Sequence, residues 1–198
     1  MILNHLMGLY THPKQEWQAI ERNHEKTGSS LSHILLISLI PAICAYIANT
    51  QIGWNPGAGE PLFLTQESAL FMSVGMYFGL IAGVFGLAYL VYWMAKTFDA
   101  EPNYTQALEL AVYTATPLFM VGFSALYPEL WFIMLVGLLG LSYSVYLLYT
   151  GVPILMRIPE EKGFIYASSV VTCGLVLLVA LMGASVILWS YGLGPAIQ

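Results

Sequence analysis

The chain has 198 residues, 58% of them hydrophobic and 9% charged, with a formal net charge of −5 and a mean hydropathy of +0.72. A soluble domain carries about 25% charged residues, so a mainly aqueous setting is excluded, and several apolar runs are long enough to cross a ~30 Å hydrocarbon core. Six dispersed Lys and Arg leave no basic footprint for DNA or RNA.

Residues 1–32 read as a small cytoplasmic or interfacial amphipathic segment. Leu3, Leu6, Met7 and Tyr10 follow helical spacing and suit the headgroup region. Met1 to Tyr10 contain no Lys or Arg, so no cleavable signal peptide is expected. Thr11-His12-Pro13 starts a second helix, with Thr11 or His12 near its cap and Pro13 in its first turn. Trp17 and Ile20 face one way and Lys14, Glu21 and Glu25 face water, as in a helix lying in the interface. Thr27 to Ser30 end it.

Residues 33–198 form a membrane domain with five predicted spans, at about 33–51, 68–95, 105–126, 129–150 and 164–191. Span one contains Pro41, which removes one helical hydrogen bond and predicts a kink covered by a neighbouring helix. A turn-rich outer loop follows, with Trp54 at headgroup level. Span two is long enough to tilt or protrude. It carries Gly75, Gly79 and Gly83 at a spacing of four, with Gly86 close by. Bare backbone on one face lets another helix approach closely, either inside the bundle or in a second copy.

Span three holds Glu109, with Tyr113 and Thr116 on the same face, and is interrupted by Pro117. A carboxylate within a span is a functional-site hypothesis by default. It lines a proton, cation or solute path, or else it snorkels to the interface or pairs with Lys96. A tight turn at Tyr127-Pro128 leads into span four, which Gly151-Val152-Pro153 and Pro159 are expected to end. Span five closes at Trp189-Ser190-Tyr191.

Orientation follows from charge. Lys14, Arg22 and Lys26 precede span one, Lys96 lies between spans two and three, and Arg157 and Lys162 lie between four and five. The other gaps carry no Lys or Arg, so the N-terminus is cytoplasmic and the C-terminus periplasmic. Trp93, Trp131 and Trp189 fall at predicted span ends, Trp54 in the outer loop and Trp17 in the interfacial helix, so none sits at mid-membrane depth, as an aromatic belt requires.

No site of soluble-enzyme type is visible. The chain has no phosphate-cradling glycine loop followed by Lys, no Gly-x-Ser-x-Gly and no His-Glu-x-x-His. His5, His12, His24 and His33 form no compact ligand pair and read as solvated or headgroup-contacting imidazoles. Cys44 and Cys173 read as small core residues, with neither a disulfide nor a metal between them.

Several segments resemble bacterial Yip domain proteins. They are Gly8-Leu9-Tyr10-Thr11-His12-Pro13 with Trp17 and Ile20, Ile40 to Ala45 through Thr50-Gln51-Ile52-Gly53-Trp54, Ala115 to Phe119 followed by Ala125 to Pro128, and Tyr146 to Tyr149 with Gly151 and Pro153. The resemblance implies five spans with a cytoplasmic N-terminus. Eukaryotic members are linked to vesicle trafficking and Rab GTPase binding, with a longer cytosolic N-terminal region and an Asp-Leu-Tyr-Gly-Pro motif. That motif is absent here, so the resemblance does not carry Rab binding over. For bacterial members it implies no reaction, substrate or catalytic residue.

The sequence therefore predicts an all-α integral membrane protein of the bacterial inner membrane, without enzyme activity, cofactor or metal. It would act through contacts with membrane lipids, other membrane proteins or itself. The alternative is a small-solute or ion transporter or channel with a polar path along Glu109, Tyr113, Thr116 and Lys96.

Overall fold

A computed structural model describes residues 8–23, 27–53, 60–101 and 103–197. The expectations for Leu3, His5, Leu6, Met7, His24, Glu25, Lys26 and the turn at Trp54 to Gly57 fall outside those residues. The described elements are α1 (Pro13–Asn23), α2 (Thr27–Ile37), α3 (Leu39–Ile47), α4 (Gln66–Met94), α5 (Tyr104–Met120), α6 (Leu130–Leu155) and α7 (Glu160–Leu188). Five helical spans are long and apolar enough to cross a membrane: Ser30–Ile52, Gln66–Phe98, Tyr104–Leu126, Leu130–Leu155 and Glu160–Gly192. The chain is thus all-α with five membrane-spanning helices, and no β-strand occurs among the described residues.

Span one is made of two helices. The break falls at Ser38, whose hydroxyl donates to the Ile34 carbonyl at 2.6 Å. Pro41 explains the position. Its missing N–H is tolerated in a first turn, and Pro41 is the third residue of α3. The covering neighbour is the short 3₁₀ segment Val121–Leu126 that follows α5. There Gly122 sits so close that a Cβ on it would lie 2.5 Å from Pro41 Cα.

Thr65 caps α4, its side chain accepting from Ser68 N–H at 3.3 Å. The 29 residues of α4 span about 43 Å at ~1.5 Å per residue, longer than the bilayer core. Asn103 caps α5 by accepting from Thr105 N–H at 3.0 Å. Two boundaries differ from expectation. Thr27 to Ser30 form the first turn of α2 rather than a separator. Helix α6 runs on through Gly151 and Pro153 to Leu155, five residues past its expected end. Gly151 lets Trp17 and Leu110 approach there, since a Cβ would meet either side chain at 2.8 Å. Pro153 packs on Gly163 of α7. Both residues that looked like breakers serve close packing.

Helix α5 is the centre of the bundle. It touches α2, α3, α4 and α6, and α7 closes the far side against α4 and α6. In the most apolar stretch of each span, 72% of residues are buried in span three but only 6% in span five. The outer surfaces of α4, α6 and α7 present Phe78, Leu139, Val179 and similar side chains outward, as a lipid-facing surface does.

The described residues of α1 and of the C-terminal tail are tied at opposite ends of the bundle. Residues of the C-terminal tail pin to the start of α4. Thr65 N–H donates to the Ala196 carbonyl at 2.9 Å, and the Ser68 hydroxyl donates to the Gly194 carbonyl at 2.9 Å. At the other end Arg157 pairs with Glu21 of α1 at 2.7 Å, and Lys162 with Asp99 at 2.6 Å. The Lys162 hydrogen bond holds the exposed Asp99 carboxyl below its usual range. Exposed pairs like these contribute little to stability, but they mark the end where the basic residues gather.

Candidate functional site

The polar face of α5 is enclosed. Glu109 and Thr116 are each 1% exposed and Tyr113 is fully buried. Spacings of four and three residues stack the three side chains on one stripe of the helix. Glu109 therefore does not snorkel. Lys96 is exposed in the short 3₁₀ segment Ala95–Phe98 that follows α4.

Two residues of the N-terminal region join this stripe. His33 of α2 is buried, and its Nε2 lies 3.0 Å from Thr116 Oγ1. Thr116 Oγ1 spends its own hydrogen on the Val112 carbonyl at 2.9 Å, so His33 Nε2 is the donor in the pair. The imidazole also leans on the Tyr113 ring at a centroid distance of 5.1 Å. Trp17 of α1 meets the same ring edge-on at 6.2 Å. Tyr113 is thus gripped by α1 and α2, which fastens the N-terminal segment to the bundle.

This corrects the reading of His33 as a solvated or headgroup-contacting imidazole. It also corrects the surface assigned to α1. Trp17 and Ile20 do share a face, but both are fully buried in protein, together with Leu9. The Tyr143 hydroxyl donates to the Leu9 carbonyl at 2.7 Å, and Tyr10 stacks on Tyr143. Trp93, Trp131 and Trp189 remain exposed near span ends, whereas Trp17 does not belong to that belt. One signal for His33 was present in the sequence. It stands at the start of the first apolar run, and an ionisable side chain in a span merits the same suspicion as Glu109.

The glycine stripe divides in two. Gly83 and Gly86 pack against Leu181 and Leu177 of α7, at 3.1 and 3.2 Å from where a Cβ would stand. Gly75 and Gly79 have no atom of another described segment within 4 Å of that position. On the α3 side of this stretch runs a wholly apolar groove of about 340 Å³, bordered by Ala42, Ile43, Tyr46, Val74 and Phe78. Gly83 and Gly86 are used within the chain, and Gly75 and Gly79 are open among the described residues.

No three His, Cys, Asp or Glu side chains come together among the described residues. Cys44 and Cys173 are both free thiols. The enclosed site can position an imidazole and a phenol, but none of its side chains opens to water.

Comparison with known proteins places these features in context. The Yip1 domain family model matches residues 7–181. The chain is 40% identical over 191 residues to the inner membrane protein YohC of Escherichia coli strain K12, covering 96% of this chain and 98% of that protein. It has the same identity and coverage with inner membrane protein YohC of Escherichia coli O6:H1 strain CFT073. No solved structure matches.

Proposed function

The chain belongs to the Yip1 domain family, and from that premise we propose that it is a non-enzymatic, multi-pass protein of the inner membrane that works through its helix faces. It meets a second copy of itself within the bilayer, with lipid filling the remaining surface. Its N-terminus is cytoplasmic and its C-terminus periplasmic. The observation that carries this reading is the open pair Gly75 and Gly79. Small residues one turn apart let helix backbones approach closely in lipid, and here the chain's own helices leave that face unoccupied. The transporter alternative has less support, because Glu109, Tyr113 and Thr116 are enclosed whereas Lys96 is exposed.

Gly79→Cys in a background with Cys44→Ala and Cys173→Ala tests the proposal. Oxidation in native membranes should give a disulfide-linked dimer from Gly79→Cys and none from Gly137→Cys, an equally open position on another helix. Monomer alone from Gly79→Cys, under conditions that crosslink a known membrane dimer, contradicts the reading.

A further inference from the structure

At the inner end of the bundle a cavity of about 460 Å³ opens between α4, α5 and the turn after α6. Its walls carry Tyr92 from α4, Glu101, Asn103, Tyr104 and Gln106 from the start of α5, and Arg157. We infer that this cavity binds a phosphoethanolamine group, its phosphate on the Arg157 and α5 side and its primary ammonium on Glu101. The inference rests on the membrane placement of the chain and is independent of self-association.

Four observations converge on it. Gln106 lines the cavity, is only 7% exposed, and its side-chain amide makes no hydrogen bond to any described residue. Its amide finds its polar partners in the cavity it lines. Arg157 gives Nε and Nη2 to Glu21, which leaves its Nη1 edge available. Its backbone sits at φ 51, where a long side chain is rarely found, so its neighbours fix its place. The N-terminus of α5 supplies further donors. Asn103 caps Thr105 N–H, the N–H groups of Tyr104 and Gln106 have no carbonyl four residues back to bond within the helix, and the first turn holds no acidic residue.

Glu101 then selects among phosphates. A carboxylate beside the site repels a plain anion but pairs with an attached ammonium. A primary ammonium donates hydrogen bonds to it, whereas a trimethylated one cannot. The cavity's depth suits a lipid headgroup. Tyr92 and Tyr104 meet edge-to-face at its rim with their rings 6.0 Å apart, next to the exposed Trp93, as interfacial aromatics do.

The test is native mass spectrometry of the detergent-purified full chain, offered equal amounts of phosphatidylethanolamine, phosphatidylcholine and phosphatidylglycerol. The ethanolamine lipid should be retained several-fold over the other two. Gln106→Leu and Glu101→Gln should each reduce that retention several-fold at unchanged helical content, and Glu101→Gln should raise retention of phosphatidylglycerol. Competition with soluble phosphoethanolamine separates the two sources of the group. Displacement of the lipid assigns the site to the free compound, and resistance assigns it to the lipid. Equal retention of the three lipids by the wild-type chain, or undiminished retention by both variants, overturns the inference. Loss of the Gly79→Cys crosslink would leave it untouched.

Discussion

Trp17→Ala is expected to destabilise the folded chain by about 3–5 kcal/mol, the usual cost of truncating a fully buried tryptophan. The indole is 0% exposed and is held from two sides, by the Tyr113 ring and by the approach that Gly151 allows. Removing it leaves a void that neither backbone can close. It also loosens α1, which Ile20 and the exposed Arg157 pair tie to the bundle while the Tyr143 bond to Leu9 holds the segment before it. The indole N–H is buried without a hydrogen-bond partner among the described residues, so Trp17→Phe should lose much less. Equilibrium unfolding in mixed micelles reads the difference. A tryptophan lying among headgroups would shift stability by no more than about 1 kcal/mol on truncation. A value that small for Trp17→Ala would remove the docking of α1 from the account.

Gly122→Ala should cost about 1–3 kcal/mol or more, the penalty for overfilling a packed contact. The added methyl would stand 2.5 Å from Pro41 Cα and 2.9 Å from Pro41 N. Both are backbone atoms, and no rotamer change removes them. Either span one or the segment after α5 must retreat, and that contact is what covers the break in span one. Gly75→Ala is the counterpart. The same methyl meets nothing within 4 Å there, and alanine exceeds glycine in helix propensity by about 1 kcal/mol, so in detergent-held monomer it should be neutral or stabilising. Each variant adds the same methyl group, and only Gly122→Ala should lower the unfolding midpoint. If both were neutral, the close approach at Pro41 would be wrong.

The five spans were legible because length and apolarity are local properties. Every predicted span overlaps an observed one, and each observed span reaches farther at one end or both. What escaped the sequence was contact between distant segments. Pro153 and Gly151 look like breakers to any local rule, yet a proline near the end of a helix forfeits only one bond, and here it packs on Gly163. Trp17 and Ile20 showed an amphipathic face without saying whether lipid or protein would cover it. His33 was read with the other histidines by its place in the chain. What decides its environment is a hydroxyl 83 residues away. The glycine stripe gave its spacing, but only the position of α7 determines which glycines are used.

The lining of the candidate sites followed the same division. Glu109, Tyr113 and Thr116 were found because they share one helix face. Their grouping with Trp17 and His33, and that of Gln106 with Arg157, needed three helices to be brought together.

Everything described depends on the polypeptide crossing the bilayer five times, with α1 and the Arg157 turn on the cytoplasmic face. Fusing compartment-specific reporters separately to each terminus of the full chain measures this directly. The N-terminal reporter should be active only in the cytoplasm and the C-terminal one only in the periplasm. Activity of both on one side would mean an even number of crossings and would break the arrangement of sites proposed for each face.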